Sequence, residues 1–234
     1  MADDERTRRL RKLDACAVSD ALDRLGLRGV VLGLRAMGPR RRIAGRAVTV
    51  RLEVATEALR EDLVARGEHP RHLCTAAVDA SGPGDVIVVA NGGRSDAAGW
   101  GGTLSLGATL RGIEGVVVDG ACRDVDEAIE HDFAVYASYA VPLTARGRIM
   151  EVGWNVPVSF GGLTVAPGDL VIADSSGVVF VPAARAEEVL AVGEEIVARE
   201  QAMAEAARAG RPMSEVMGAD YERLLELKLE LEKA

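Results

Sequence analysis

Two short runs of β-branched residues place the strongest limit on the fold of this chain. The first, at residues 86–89, follows the turn-forming sequence GPGD, and the second, at residues 116–118, follows a segment of helical period that ends at Gly112. Apolar runs of this length are typical of strands that are buried on both faces. Another helical segment, VDEAIE, follows the second run. This strand, helix, strand, helix order predicts a parallel sheet with right-handed crossovers.

The remaining segments fit the same α/β class. Residues 10–27 have apolar residues at helical spacing, with Asp14 and Ser19 as candidate caps. From Phe133 onwards the chain becomes a series of short strands broken by Gly, Pro and Asp. Only 3% of the residues are aromatic, so Val, Leu, Ile and Ala must build the core, which suits a sheet covered by helices.

The chain is predicted to end in helices. Residues 183–210 have the composition of one long helix, and residues 215–234 that of a second, charged amphipathic helix. We see no internal repeat and no disordered linker. We therefore predict one α/β domain over residues 1–182, with residues 183–234 forming C-terminal helices that pack on it or on a neighbouring subunit.

Charge and cysteine usage exclude several classes of protein. The net charge of −8 argues against a nucleic-acid partner, which needs clustered Lys and Arg. Cys16, Cys74 and Cys122 are widely spaced and contain no CxxC pair, so neither a disulfide framework nor a zinc site is indicated. No apolar run has the length of a membrane span, and the first residues lack the apolar core of a signal peptide. We expect a cytoplasmic protein without a membrane partner.

The glycine-rich segment NGGRSDAAGWGG at residues 91–102 raises the question of a ligand loop. It contains neither the GK[ST] of a P-loop nor a GxGxxG pattern, so nucleotide binding is not indicated. Gly101 and Gly102 would let the backbone approach a ligand, and a helix beginning near Thr103 would offer free N–H groups to an anion. A simple turn explains the spacing equally well.

The segment GVVVDGACRD ends a predicted buried strand with Arg123 and Asp124 side by side. Functional groups of α/β folds collect at the carboxyl ends of strands, which makes this pair a candidate site. Asp124 and Glu127 also form a D-x-x-E pattern, which is typical of a helix capping box. On spacing alone, the capping role and a surface position for Arg123 are favoured.

A carboxylate falls on the apolar stripe of the long helix. Steps of three and four residues align Val189, Gly193 and Ile196 with Glu200. An acid in this position needs a partner. The partner is either Arg199 or a neighbouring helix, or it is a cation or active site reached across a subunit contact.

The histidines give no convincing metal motif. His69 and His72 are three residues apart with a proline between them and no third ligand nearby, so a loop surface is favoured. His131 falls near the end of a predicted helix and is expected to be solvated. Cys122 is better interpreted as a small packed residue than as a nucleophile.

Four segments together carry a resemblance to a known family: AVSDAL (17–22), GPGDVIVV (82–89), WGGTLSLGATLRGIEGVVVDGACRDVDEA (100–128) and VAPGDLVIADSSGVVFVP (165–182). They resemble the RraA-like family, over about residues 10 to 210. This family includes class II 4-hydroxy-4-methyl-2-oxoglutarate / 4-carboxy-4-hydroxy-2-oxoadipate aldolases and the protein regulator of ribonuclease E activity. GVVVDGACRD, within the third segment, is the most specific part.

The resemblance implies a fold, an assembly and a reaction. The fold is a swivelling β/β/α domain, here with a C-terminal helical extension, assembled as a homotrimer or a dimer of trimers with active sites between subunits. The reaction is a retro-aldol cleavage of a small 2-oxo acid that yields pyruvate, often with oxaloacetate decarboxylation. It depends on Mg²⁺ or Mn²⁺, hard cations that suit carboxylate and water ligands.

The resemblance also implies roles for individual residues. Asp124 would be the direct metal ligand, and Arg123 would bind the carboxylate or oxo oxygen of the substrate. The backbone N–H groups of Thr103 and Leu104 would hold the pyruvyl carboxylate. Glu200 resembles the helix glutamate that, in the aldolases, reaches a metal-bound water in the neighbouring subunit.

One position departs from the family pattern. The aldolases commonly have an acidic residue where this chain has Gly102, and Asp96 is a candidate substitute. The main alternative function is a non-catalytic regulator that binds a protein such as a ribonuclease, but these regulators are generally shorter and lack the helical region at residues 183–234. A quinone methyltransferase is not indicated, because no strand is followed by a G-x-G-type cofactor loop.

Overall fold

The computed structural model describes residues 5–67 and 72–218. Its helices are α1 (Glu5–Leu10), α2 (Ala15–Arg24), α3 (Glu57–Ala65), α4 (Thr75–Ala80), α5 (Gly102–Leu110), α6 (Val125–Glu130), α7 (Ala186–Arg208) and α8 (Met213–Val216). Its strands are β1 (Val30–Val31), β2 (Arg35–Ala36), β3 (Ile43–Val54), β4 (Asp85–Trp100), β5 (Gly115–Cys122), β6 (Val135–Ala140), β7 (Ile149–Trp154), β8 (Val158–Phe160), β9 (Leu163–Val165), β10 (Leu170–Asp174) and β11 (Gly177–Val181).

A large mixed sheet forms the centre of the fold. Within the described residues it has nine strands, in the order β1-β11-β10-β3-β4-β5-β6-β2, with β7 paired to β3. The pairs β3–β4, β4–β5 and β5–β6 are parallel, whereas β10 runs antiparallel to β3. The predicted α/β class and the β4–α5–β5–α6 order are therefore confirmed.

The two valine-rich runs form the middle of this sheet and are buried on both faces. Ile87 of β4 packs in one core cluster with Val116 and Val118 of β5. Val88 and Val117 point to the opposite face and pack in a second cluster. Each of these five side chains is fully buried. A strand covered on both sides needs apolar residues at every position, which explains the uninterrupted runs.

The glycine-rich segment after residue 90 is not the free loop that the sequence predicts. The chain continues as β4 to Trp100, but its register with β5 shifts repeatedly beyond Ala90. Gly92 and Gly93 adopt positive φ values of 62° and 69°, a conformation that glycine adopts without strain, where the strand bulges outward. The strand then returns so that Trp100 pairs with Cys122. This return brings the start of α5 beside the end of β5.

The N-terminal helices pack against the first half of α7. Asp14 caps α2, because its Oδ1 accepts a hydrogen bond of 2.8 Å from the N–H of Ala17, so Asp14 rather than Ser19 is the cap. Gly193 of α7 lies against Leu13, close enough that a Cβ on this glycine would be 2.9 Å from the leucine side chain. Arg9 of α1 forms ion pairs of 2.8 Å with Glu187 and 2.7 Å with Glu194.

The second half of α7 differs from the prediction. Val189, Gly193 and Ile196 are buried, as the apolar stripe predicts, but Glu200 is exposed. The apolar stripe is thus buried against the rest of this chain only as far as Ile196. Of the predicted final helix, residues 219–234 lie outside the described residues. The proposed domain boundary at residue 182 stays a prediction.

Among residues 5–67 and 72–218, no helix is both long enough and apolar enough to span a membrane.

Candidate functional site

A pocket of 440 Å³ lies at the carboxyl ends of β4 and β5, where α5 and α6 begin. Carboxyl ends of parallel strands are where α/β folds present their ligand-binding groups. The structure brings together here the residues that the sequence and the resemblance placed in a substrate and metal site at this edge. They are Gly101, Gly102, Thr103, Leu104, Arg123 and Asp124.

Asp124 occupies the N-cap position of α6 without capping it. Its backbone is left-handed, with φ 56° and ψ 45°, and its side chain makes no capping hydrogen bond within the described residues. Oδ2 instead accepts hydrogen bonds from the N–H of Gly102 at 3.1 Å and from Nε of Arg123 at 3.0 Å. The capping-box interpretation of Asp124 and Glu127 is therefore wrong, because this backbone conformation directs the carboxylate across the edge of the sheet towards α5.

The surroundings of Asp124 keep its carboxylate ionised. Partial burial raises the pKa of Asp124, but the hydrogen bond from the Gly102 N–H and the hydrogen bond and charge of Arg123 lower it by more. The net effect is a pKa below the usual value for an aspartate. An ionised carboxylate at neutral pH is the form that binds a cation.

A side chain at either of the two glycines at the start of α5 would crowd the neighbouring side chains. A Cβ on Gly101 would lie 2.8 Å from Oδ2 of Asp124 and 3.3 Å from Cγ of Arg123. Because α5 begins at Gly102, the N–H groups of Thr103 and Leu104 have no acceptor within the helix. A group in the pocket therefore meets the positive end of a helix beside an arginine.

Glu127 lies over the second glycine, a contact that sequence reasoning missed. A Cβ on Gly102 would overlap Oε2 of Glu127 and would lie 2.9 Å from the Cβ of that glutamate. Glu127 is exposed on α6. The sequence pattern assigned this residue only to a capping box, and nothing in the spacing indicates that it faces the N-terminus of a different helix.

The pocket lining also includes groups that the sequence did not single out for this site. Arg146 lines the pocket and is exposed, and no described residue forms an ion pair with its guanidinium. His72 and Leu73 also line the pocket, and the buried Cys74 follows them in the chain. The N–H of Cys74 donates a hydrogen bond of 2.6 Å to the buried Glu151. Arg146 lies in an irregular segment, so no periodic pattern in the sequence indicates that it lines a pocket.

Other candidates lie elsewhere in the structure. Glu200 and Asp96 are not among the described residues that line the pocket, and Asp96 is exposed and pairs with Arg94 at 2.6 Å. His69 lies outside the described residues, and His131 is the half-buried C-cap of α6. Cys122 is packed in the core, as predicted, and burial raises its pKa to about 11.

Asp124 is the one carboxylate among the described residues that line the pocket. Within residues 5–67 and 72–218, no three His, Cys, Asp or Glu side chains are grouped so that they could hold a metal ion. Any cation here would therefore take most of its ligands from water or from a bound molecule. Magnesium is commonly bound in this way, through one or two protein carboxylates.

Comparison with known proteins places this geometry in context. The family model described as "RraA-like: Aldolase/RraA" matches residues 15–180. A protein of Halalkalibacterium halodurans named "Putative 4-hydroxy-4-methyl-2-oxoglutarate aldolase" is 33% identical over 181 residues, which are 77% of this chain and 78% of that protein. Protein DlpA of Legionella pneumophila is 29% identical over 180 residues, or 76% of this chain, but the match spans only 27% of DlpA.

A solved structure shares the fold. Streptomyces coelicolor RraAS2, described as an unusual member of the RNase ES inhibitor RraA protein family, superposes with a TM-score of 0.74 and 26% identity. The superposition covers 86% of this chain and 96% of RraAS2. The shared fold therefore extends over most of both chains.

Proposed function

The chain belongs to the RraA-like family, and from that premise we propose that it is a divalent-cation-dependent lyase. It cleaves a small 4-hydroxy-2-oxo acid by a retro-aldol reaction and releases pyruvate. The observation that carries this proposal is the meeting of Asp124, Arg123 and the N-terminus of α5 in one pocket. The name given to the Halalkalibacterium halodurans relative supports the same reaction class.

The substrate binds through donors that the structure has already arranged. The N–H groups of Thr103 and Leu104 hold the carboxylate of the 2-oxo acid at the positive end of α5. Arg123 uses the donors not engaged by Asp124 to bind the oxo oxygen. Gly101 and Gly102 line the pocket, and because they lack side chains, Asp124, Arg123 and Glu127 can approach the start of α5 closely.

Asp124 is the residue that holds the cation. The hydrogen bonds that described residues donate to it go to Oδ2, so Oδ1 is left for a cation. A carboxylate oxygen with a lowered pKa is the donor that Mg²⁺ and Mn²⁺ prefer, so the residues present fit the ion. When bound, the ion supplies Lewis-acid polarisation of the 2-oxo acid.

The protein stabilises the charge that bond cleavage creates. Loss of the 4-hydroxyl proton and cleavage of the C3–C4 bond give a carbonyl product and the enolate of pyruvate, which then takes a proton at C3. Arg123 and the start of α5 lie where negative charge develops on the oxo oxygen and persists on the carboxylate. Loss of carbon dioxide from oxaloacetate leaves the same enolate, so we expect decarboxylation as a second activity.

Glu200 completes the site from a neighbouring copy of the chain. It is exposed on α7, four residues beyond the buried Ile196, and lies away from the pocket of its own chain. A homotrimer, or a hexamer of two trimers, would place this carboxylate at the next copy's pocket. There it takes part in proton transfer to and from the substrate.

Arg146 favours a substrate with a second negative charge. Two guanidinium groups and one carboxylate line the pocket within the described residues. A dicarboxylic 2-oxo acid would place one carboxylate at the start of α5 and pair the other with Arg146, while Arg123 binds the oxo oxygen.

The test is release of pyruvate from a panel of 4-hydroxy-2-oxo acids and from oxaloacetate, with Mg²⁺, with Mn²⁺ and with EDTA. We expect at least one acid to yield pyruvate, and we expect EDTA and Asp124→Ala each to remove the activity. Pyruvate release that persists through both treatments would contradict the proposal.

The description of RraAS2 supports a second candidate, a non-catalytic regulator that binds a ribonuclease. The same panel separates the two functions. If no acid yields pyruvate with either cation, and the purified chain instead forms a stable complex with a purified ribonuclease E and slows its cleavage of RNA, the regulator is the correct function.

A further inference from the structure

Gly102 and Glu127 are linked by sterics. The Cβ that Gly102 lacks would overlap the carboxylate of Glu127 and would lie 2.9 Å from the glutamate Cβ. Rotating the carboxylate away would not make room, because the Cβ contact is fixed by the backbone of α6. Any larger residue at position 102 therefore requires α6 to move or Glu127 to be lost.

The carboxylate of Glu127 lies near that of Asp124. The N–H of Gly102 donates to Oδ2 of Asp124 across 3.1 Å, and Oε2 of Glu127 lies within overlap distance of the position that a Cβ on the same glycine would take. Because N and Cβ of one residue are about 2.5 Å apart, Oδ2 of Asp124 and Oε2 of Glu127 are separated by no more than about 7.5 Å. Both lie at the first turn of α5, where the helix dipole favours negative charge.

We propose that Glu127 is the second carboxylate of the divalent-cation site. Helix α6 then supplies both acids, Asp124 from its N-cap position and Glu127 from its first turn. Asp124 holds the cation directly, and Glu127 accepts hydrogen bonds from the water around the ion and fixes its orientation. This inference rests on the proposed function, because it assumes that a cation binds to Asp124.

A purely structural role for Glu127 predicts different behaviour. A negative charge in the first turn of α6 also interacts favourably with the positive end of that helix, and an acid at any first-turn position has the same effect. It would change the stability of the protein and leave the affinity for a cation unaltered. Cation affinity therefore distinguishes the two roles.

The first experiment titrates the full chain with Mn²⁺ alone and measures free Mn²⁺ by electron paramagnetic resonance. Glu127→Gln keeps the size of the side chain and removes its charge. We expect it to weaken Mn²⁺ binding about 10-fold, as loss of a carboxylate around a metal site does. The matched control is Glu130→Gln, an exposed acid on the same helix, which we expect to leave the affinity unchanged. Equal affinities in the two variants would overturn the inference.

The second experiment exchanges the two positions. Gly102→Asp alone is expected to weaken Mn²⁺ binding, because the new side chain collides with Glu127. The double variant Gly102→Asp, Glu127→Gly removes the collision and returns an acid to the site, so its affinity should recover to within about 3-fold of the original chain. A double variant that binds no better than Gly102→Asp would refute the exchange.

Asp124→Asn separates failure of the inference from failure of the proposed function. If Asp124→Asn abolishes Mn²⁺ binding while Glu127→Gln and Glu130→Gln match, the cation site stands and the role of Glu127 is wrong. If Asp124→Asn binds Mn²⁺ as well as the original chain, both proposals are wrong.

Discussion

Two aspartates occupy the N-cap positions of two helices, and they have opposite roles. Asp14, before α2, has an extended backbone with φ −119°, and its carboxylate accepts a hydrogen bond from the N–H of Ala17 in its own helix. Asp124, before α6, has φ 56°, and its carboxylate contacts Gly102 and Arg123 instead. The first stabilises a helix start, and the second is presented to a pocket.

The surrounding charges follow the same division. Near Asp14, Arg9 is paired with both Glu187 and Glu194, so charges of the N-terminal region are neutralised by the fold. At the pocket, Arg146 has no carboxylate partner among the described residues. Residue type and helix position do not decide between structure and function here. The backbone conformation and the pairing of the neighbouring charges do.

The strongest way to break this comparison is Asp124→Asn. We expect pyruvate release to fall by at least about 100-fold, since the variant loses the charge that holds the cation. The thermal midpoint should change by less than about 2 °C, because the carboxylate does not cap α6. Both quantities can be measured on one preparation. A large loss of stability without loss of activity would show that Asp124 is a structural residue like Asp14.

Arg146→Ala tests whether the unpaired charge serves the substrate. We expect KM for a dicarboxylic 4-hydroxy-2-oxo acid to rise about 10-fold with kcat little changed, because a charged contact to the second carboxylate is lost. A monocarboxylic analogue provides the control, and its KM should stay the same. An equal rise in KM for both acids would mean that Arg146 contributes only to the overall positive potential of the pocket.

The position of Asp124 at a functional edge of the sheet could be predicted from the sequence, but its local conformation could not. The apolar runs at residues 86–89 and 116–118 predict buried parallel strands, and the strand order then places Arg123 and Asp124 at a functional edge. The capping pattern at Asp124 gave the wrong local structure, because a D-x-x-E spacing does not encode φ. The left-handed backbone of Asp124 accompanies a hydrogen bond to Gly102, 22 residues earlier in the chain, and no local pattern records that contact.

The contacts between separate helices were also beyond the sequence. Glu127 and Arg146 approach the site from segments that no local period connects with residues 101–104. The bulged part of β4, after Ala90, determines which residues meet at the edge of the sheet. Its glycines are as typical of a loop as of a bulged strand, so the sequence does not distinguish the two. Residue Glu200 illustrates a different limit, because its predicted role depends on a neighbouring copy of the chain.

Asp14→Ala tests the structural side of the comparison. Loss of an N-cap side chain costs about 1 kcal/mol, so we expect the thermal midpoint to fall by about 2–4 °C for a chain of this length. Pyruvate release per folded molecule should be unchanged, because α2 does not line the pocket. Thermal denaturation and the pyruvate assay together check this. Reduced activity at full folding would show that the N-terminal region influences the site.

The smallest expected effect concerns pH and the ion pairs around Arg9. The hydrogen bond and charge of Arg9 outweigh burial and hold the pKa of Glu194 below its usual value. A lowered folded pKa means that the pair stabilises the protein above the unfolded pKa of the glutamate, and that this stabilisation is lost as the pH falls through the folded value. Its size is at most about 1 kcal/mol, because the Glu194 side chain is 40% exposed and water screens the pair.

Urea unfolding of the original chain and of Glu194→Gln, at pH 7 and at pH 4, measures this contribution. The free energies of unfolding should differ most at pH 7 and should converge as the pH falls, while pyruvate release at pH 7 stays equal in the two proteins. A difference that does not change with pH would mean that Glu194 acts through packing alone. A difference in activity would mean that paired charges far from the pocket also tune the site, and the contrast between Asp14 and Asp124 would then be one of degree.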